Sequence, residues 1–267
     1  TRLVDKRNVR KDIADMFCTN ADGVRGKKAI EWNLVDYIAP PSQFSDLIEK
    51  RADKLCEEVK LRNGNNGISL SKLKCSIKDN KIEYDTISCS LNRNDRTAEI
   101  IINGPSEKDI LNIEEINKIG CEWWALKFIR ELDDLILLLR TNELEIGVLT
   151  IKSKGSLDCI NNLSNILYDN KENWLINEII GHIRRTFSRL DISSRSIFTI
   201  IDNDSCFGGI LSELLFCADR SYMLNNELLN KNKNGPFISL SNLNFNFLYM
   251  VNGQTRLETR FNSNKDK

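Results

Sequence analysis

Residues 208–213 are the part of this sequence whose residue types and spacing could support catalysis. Gly208 and Gly209 precede an apolar helical pattern, and Glu213 lies about one turn along it. Glycine lets a backbone approach a ligand closely, and free N–H groups at a helix start favour negative charge. Such groups could hold the oxyanion of a thioester enolate, and Glu213 could transfer protons if its pKa were raised. Two plainer interpretations stay open, because paired glycines often serve close packing and such a glutamate is often solvated or caps the helix.

Alternating strand and helix patterns position this segment. A buried-strand pattern over 195–201 leads to the glycines through a short polar loop, and another strand pattern follows at 221–225. The preceding region alternates in the same way: strands at 81–91, 97–104 and 145–152, helices at 106–142, interrupted at Gly120, and at 173–190, with a variable stretch at 153–172. This alternation predicts an α/β architecture.

The first sixty residues have a different character, with three helical patterns at 5–18, at 24–33 and after Pro40-Pro41. A connector rich in Asn, Gly and Ser then separates them from the α/β part. The triplet Thr-Arg-Leu stands at residues 1–3 and again at 255–257. Because the chain starts without Met and a helical stripe follows at once, we expect a fragment cut at both ends.

Composition narrows the classes of function. Lysine plus arginine and aspartate plus glutamate number 38 each, so no overall charge favours nucleic acid or an anionic membrane. The longest apolar run, Leu135 to Leu139, is too short to cross a bilayer. The eight cysteines include no Cys-x-x-Cys pair, and His182 is the only histidine. We therefore expect buried or half-buried free thiols, a structural His182, no metal site and a cytoplasmic protein.

Several segments resemble the crotonase (enoyl-CoA hydratase/isomerase) superfamily. "SRSIFTIIDNDSCFGGILSELLFCADRSYM" is similar to the core segment of that family, where a glycine turn precedes Glu-Leu and an Asp six residues after the Glu; Glu213 and Asp219 keep this spacing. The other matching segments follow in family order: "ISCSLNRNDRTAEIIINGP", "LKFIRELDDLILLLRTNELEIGVLTIKSKG" and "FISLSNLNFNFLYMVNGQTRLETRF". The first segment of the chain, "TRLVDKRNVRKDIADMFCTNADGVRGKKAIEWNLVDYI", resembles the C-terminal end of a module of the same family.

The resemblance implies an α/β fold of the crotonase-like ββα superhelix type. Residues 1–60 would be the C-terminal helical part of one module, 61–81 a linker, and 82–267 a second module that is incomplete at its C-terminus. The amino-acid sequence of these segments is most similar to that of ring-opening members of the superfamily. It implies a carbon–carbon lyase that hydrolytically opens oxidised benzoyl-CoA to a semialdehyde thioester plus formate. Coenzyme A would then enter as part of the substrate, with no other cofactor, and a homo-oligomer packed through residues 5–58 is expected.

The same resemblance assigns roles within the second module. The backbone at Gly209 and Ile210 would hold the thioester oxygen, and Glu213 would be the catalytic carboxylate. However, only Gly209 remains of the usual glycine triplet, and "SLDCINNLSN" replaces the usual second donor loop. We therefore expect a structural second module, with the main active site upstream of Thr1, although a second working site stays open. An enoyl-CoA hydratase or isomerase and a non-catalytic assembly module are the alternatives.

Overall fold

The computed structural model describes residues 2–58, 67–226 and 235–262. The chain divides into two compact units, Thr1–Gly67 and Ile68–Lys267. Part of the predicted linker lies outside the described residues, and Ser76–Lys78, near its end, form a strand of the second unit.

The first unit is helical, as the sequence predicts. Its helices are α1 (Lys11–Thr19), α2 (Lys27–Glu31) and α3 (Phe44–Glu58). The prediction of one continuous helix over 5–18 is wrong at its start. There Arg2–Lys6 form a separate π-helical turn, Asn8 adopts a left-handed conformation with φ of 53°, and the Val9 N–H donates to Leu3 O at 2.9 Å. Asparagine tolerates this conformation better than most residues, so the chain breaks there.

The second unit is built on one seven-stranded sheet. Its strands are β1 (Ser76–Lys78), β2 (Lys81–Glu83), β3 (Ile87–Asn92), β4 (Thr97–Asn103), β5 (Val148–Lys154), β6 (Ser196–Ile201) and β7 (Arg220–Met223). They lie in sequential order; β1 to β4 are antiparallel neighbours, and β4 to β7 are parallel neighbours. The predicted hairpin is β3–β4, and the predicted strand at 81–91 is split into β2 and β3.

A buried carboxylate explains the split between β2 and β3. The Thr86 N–H donates to Glu131 Oε2 at 2.8 Å, and the Thr86 hydroxyl donates to the same oxygen. Glu131 is only 1% exposed. These bonds replace ladder bonds at the turn, so the backbone polar group remains satisfied although it leaves the strand.

The helices of the second unit are α4 (Ile113–Ile119), α5 (Trp124–Asn142), α6 (Leu157–Asp169), α7 (Trp174–Asp191), α8 (Ser212–Cys217), α9 (Asn242–Asn246) and α10 (Arg256–Arg260). Helices α4 to α8 connect the parallel strands, and α9 and α10 follow the last strand. The predicted break at Gly120 is confirmed, with φ of 57° at that residue. The α/β prediction is confirmed by helices that alternate with β4, β5, β6 and β7.

A buried core joins the sheet to these helices. Apolar residues on one face of β3, β4 and β5 alternate with more exposed ones, as expected of strands with one face toward the core. Trp123, Phe128 and Phe187 are completely buried among them. In the described ranges, no helix combines the length and apolar character needed to span a bilayer.

Candidate active site

The glycine turn lies between β6 and a short helix. Gly209–Leu211 form a 3₁₀ turn, and α8, only six residues long, follows directly. The loop before the turn is fixed by side chains: Ser205 Oγ accepts from the Asp202 N–H at 2.9 Å, and Ser153 Oγ accepts from the Cys206 N–H at 3.0 Å. The predicted strand, loop, glycine and helix sequence is therefore present, but the helix is shorter than predicted.

Helix α6 packs directly against this turn. The sequence interpretation assigned no structure to 153–172, yet Ser156 caps α6 by accepting from the Cys159 N–H at 3.3 Å. The apolar spacing of Ile160, Leu163 and Leu167, together with the serine cap, could have predicted this helix. It was missed because polar residues between those positions obscure the pattern.

Gly209 is required by its surroundings. Its φ is +47°, a region that favours glycine. A Cβ atom at this position would lie 2.6 Å from the Cβ of Ser164 on α6, and closer still to Ser164 Oγ. The space in front of the turn is therefore filled by a side chain of the protein itself.

The backbone donor predicted at Ile210 already has an acceptor. The Ile210 N–H donates to Ser164 Oγ at 3.1 Å, and the Ser164 hydroxyl donates to Ile160 O at 2.7 Å. Gly209, Ile210 and Ser164 are all buried. In this arrangement the serine oxygen takes the position at which a ligand oxygen would accept from the Ile210 N–H.

The segment of the other predicted donor is also occupied. Gly155, which follows β5, donates its N–H to Asp204 O at 3.0 Å, and its Cα lies close to Gly104. The next residue, Ser156, serves as the cap of α6. In both segments that the family resemblance associates with oxyanion binding, a backbone N–H is thus already bonded to an acceptor of the protein itself.

Glu213 is fully buried and both of its oxygens are used. Its Oε1 accepts from Asn244 Nδ2 at 2.7 Å, and its Oε2 accepts from Arg256 Nη1 at 2.8 Å. Arg256 is 2% exposed and also forms a bidentate pair with Asp191, at 3.0 Å from Nε and 2.6 Å from Nη2. Asn244 Nδ2 also donates to Gly209 O at 2.9 Å, which ties the carboxylate to the glycine turn.

Burial and charge act in opposite directions on this cluster. Burial raises the pKa of Glu213, and the Arg256 charge with the Asn244 hydrogen bond opposes that rise. Burial lowers the pKa of Arg256, but Asp191 and Glu213 outweigh it, so the pKa stays above its usual value. A charge taken out of water in this way needs a partner. The arrangement therefore favours a stabilising role for Glu213, and its predicted catalytic role stays a prediction.

Sequence reasoning did not single out Arg256, Asn244 or Asp191. The available signal was the repeated Thr-Arg-Leu phrase, because its second copy contains Arg256 and begins α10. Thr255 caps that helix by accepting from the Glu258 N–H at 3.1 Å. The motif residue Asp219 has a structural contact too, since its Oδ2 accepts from the Ile197 N–H at the start of β6 at 2.7 Å.

In the part of the chain that the structure describes, no cluster of three or more His, Cys, Asp or Glu side chains could hold a metal ion. All eight cysteines are free thiols, as predicted, but the expectation that they are buried or half-buried is wrong for Cys18, Cys56 and Cys75, which are exposed. Burial raises the pKa of the Cys206 thiol to about 11, so this group next to the turn is a poor nucleophile at neutral pH.

Replacing Ser164 with alanine is expected to lower the free energy of unfolding by about 1–3 kcal/mol, because it leaves the buried Ile210 N–H without an acceptor. Urea denaturation measures the change. The matched control is Ser188→Ala in α7: Ser188 makes a similar bond to the carbonyl four residues earlier, at 2.8 Å, in a more exposed position. The control is expected to change stability by less than about 0.5 kcal/mol, and equal effects of the two variants would contradict the prediction.

Comparisons with known proteins identify one extensive similarity. No protein-family model matches the chain. An enoyl-CoA hydratase structure from Shewanella pealeana ATCC 700345 aligns with 51% of this chain and 45% of its own, at 17% identity and a TM-score of 0.33. Over 261 residues the chain is 38% identical to the benzoyl-CoA-dihydrodiol lyase of Aromatoleum evansii, a match that covers 98% of this chain and 46% of that relative. Across nearly its whole length, this chain is therefore similar to about half of a benzoyl-CoA-dihydrodiol lyase.

Proposed function

We propose that this chain is part of a crotonase-like carbon–carbon lyase of aerobic benzoyl-CoA degradation. The substrate is an oxidised benzoyl-CoA, and hydrolytic ring opening gives a semialdehyde thioester and formate. The observation that supports this proposal is the 38% identity over 98% of the chain with a benzoyl-CoA-dihydrodiol lyase. The protein acts in the cytoplasm on this thioester, needs no other cofactor, and associates with further copies of itself.

In this proposal, the residues that carry out the reaction lie outside this chain. The chain spans about half the length of the relative, so much of that protein has no counterpart here. Within residues 68–267, the Ile210 N–H is bonded to Ser164, and Glu213 is held by Arg256 and Asn244. A thioester oxygen would have to displace Ser164 from the turn. The second module is therefore proposed to be a structural copy that supports a working module.

An assembly module without catalysis is the second candidate, and the same closed turn favours it. An enoyl-CoA hydratase or isomerase is supported less, because proton transfer to a bound acyl chain would need a free carboxylate at the turn. In the structure, Glu213 has no solvent access and two partners.

The test compares the polypeptide encoded by the complete gene with residues 1–267 alone. Each is incubated with an oxidised benzoyl-CoA in ¹⁸O-labelled water, and the formate and semialdehyde thioester are measured by mass spectrometry. We expect formate from the complete protein and none from residues 1–267. If the complete protein hydrated an enoyl-CoA and released no formate, the proposed function would be a hydratase instead of a lyase. If neither polypeptide showed turnover, the non-catalytic assembly module would be the remaining candidate.

Glu213→Gln in the complete protein separates a structural from a catalytic Glu213. Glutamine keeps the acceptor for Asn244 and removes the charge, so we expect kcat to change less than about threefold, with a lower melting temperature. Loss of a general acid or base reduces rates by about 10²–10⁴-fold. A loss of that size in a folded variant would make Glu213 catalytic and the second module a working site.

A further inference from the structure

A polar cleft lies in the second unit between helix α7 and the chain at 246–249. It has a volume of about 320 Å³, and its lining includes none of residues 208–213. Helix α7 contributes Asn177, Gly181 and Arg184 to the lining. These residues are spaced by four and then three positions, so they lie along one face of the helix. The cleft is therefore a site separate from the glycine turn.

Two cations in the cleft are held by aromatic rings. The Lys171 ammonium lies 4.4 Å from the centre of the Tyr168 ring and 5.2 Å from the centre of the Phe247 ring. The Arg184 guanidinium lies 5.7 Å from the centre of the Tyr249 ring, and its Nε donates to Tyr249 O at 3.5 Å. Neutral rings attract a cation and fix its position, but they leave its full charge in place.

These two cations lack the partner that a nearby arginine has. Arg189, on the same helix, forms an ion pair with Asp133. Among the residues that the structure describes, neither Lys171 nor Arg184 forms an ion pair. One carboxylate, the exposed Glu172, also lines the cleft. Two positive charges therefore face one negative charge, and the lining as a whole favours an anion.

Gly181 keeps the floor of the cleft open. Glycine in the interior of a helix is less favourable than alanine. A Cβ atom at Gly181 would meet no described atom within 4 Å, whereas one at Gly209 would collide with Ser164. Packing within the protein therefore does not require glycine at 181. A ligand that approaches the helix backbone through the cleft would require it.

We propose that this cleft binds a small phosphate ester that carries hydroxyl groups, of the sugar phosphate type. The phosphate lies between Lys171 and Arg184, because an ammonium and a guanidinium form charge-assisted hydrogen bonds with phosphate oxygens. A phosphate ester carries a charge of about −1.5 to −2 at pH 7, which matches two cations. Glu172 accepts hydrogen bonds and Asn177 both donates and accepts them, so they suit the hydroxyl groups of the same ligand. This binding goes beyond the lyase reaction and does not depend on it.

The experiment is isothermal titration calorimetry of residues 1–267 with glucose 6-phosphate, and with inorganic phosphate and glucose in separate titrations. We expect saturable binding of glucose 6-phosphate with a Kd below about 1 mM, weaker binding of inorganic phosphate, and none of glucose. The Kd for glucose 6-phosphate should rise with the concentration of sodium chloride, because salt screens the two cations of an open cleft.

Variants of the lining test which groups hold the ligand. Lys171→Gln and Arg184→Gln should each weaken binding of glucose 6-phosphate about tenfold or more, because each removes one charged donor to the phosphate. The matched control is Arg185→Gln, at an exposed residue of α7 that does not line the cleft, and its Kd should stay nearly unchanged. Glu172→Ala should reduce the preference for glucose 6-phosphate over inorganic phosphate, which has no sugar hydroxyl groups.

Gly181→Met separates a role in binding from a role in folding. Methionine favours a helix more than glycine does, so the melting temperature should rise. Its side chain would fill the cleft, so binding of glucose 6-phosphate should be lost, and circular dichroism checks that the variant folds. Four results would overturn the proposal: no saturable binding of either phosphate, equal affinity for both, unchanged binding by Gly181→Met, or equal effects of Arg185→Gln and Arg184→Gln.

Discussion

Replacing Arg256 with methionine is expected to lower the free energy of unfolding of residues 68–267 by about 3–5 kcal/mol. The guanidinium is 2% exposed and joins Asp191 at the end of α7 to Glu213 at the start of α8. Methionine fills part of the space but leaves two carboxylates without their counter-ion. Removing one partner of a buried ion pair lowers the free energy of unfolding by more than the pair contributes to it, because the remaining charge stays buried without a counter-ion.

Chemical denaturation of the variant, followed by circular dichroism, measures this loss. The matched control is Arg10→Met in the first unit, since Arg10 forms a bidentate pair with Asp12 and both side chains are more than 60% exposed. Exposed pairs contribute about 0–1 kcal/mol, so the control should change little. If Arg256→Met lost less than about 1 kcal/mol, the cluster would not be the stabilising element that we infer.

The elements of this fold could be predicted where the sequence has a strong period. The parallel strands β5 and β6, helix α7 and the break at Gly120 all appear where alternation, helical spacing or a glycine indicates them. Helix α6 has a weaker sequence signal, because its buried face includes Cys159 and Ser164 besides the larger apolar residues. The small residues at that face are there because α6 packs closely onto Gly209.

The candidate site could be predicted only in part, for a related reason. The sequence identifies Gly209, Ile210 and Glu213 as neighbours, and the structure does place them together in one turn and helix. What surrounds them comes from positions far along the chain, Ser164 from α6 and Arg256 from α10. Those contacts decide whether the N–H and the carboxylate are free for a ligand, and no local pattern reveals them.

Replacing Gly209 with alanine is the second substitution with a large expected effect, about 2–5 kcal/mol of destabilisation. Two terms contribute: an L-residue at a left-handed φ of +47° is strained by about 1–2 kcal/mol, and overpacking a tight core adds about 1–3 kcal/mol. The new Cβ would lie 2.6 Å from the Ser164 Cβ, so α6 would have to move away from the turn. Thermal and urea unfolding measure the loss, and Gly181→Ala in α7, where no atom lies within 4 Å of the added Cβ, should instead stabilise by about 0.5–1 kcal/mol.

The double variant Gly209→Ala with Ser164→Gly separates the two terms. Removing the Ser164 side chain relieves the collision but leaves the backbone strain and a buried Ile210 N–H without its acceptor. The coupling between the two substitutions should therefore be favourable by about 1–3 kcal/mol, as expected for residues in direct contact. Simple additivity would mean that Ser164 does not limit the space at the turn. The closure of the turn by α6, on which the structural role of the second module depends, would then have to be abandoned.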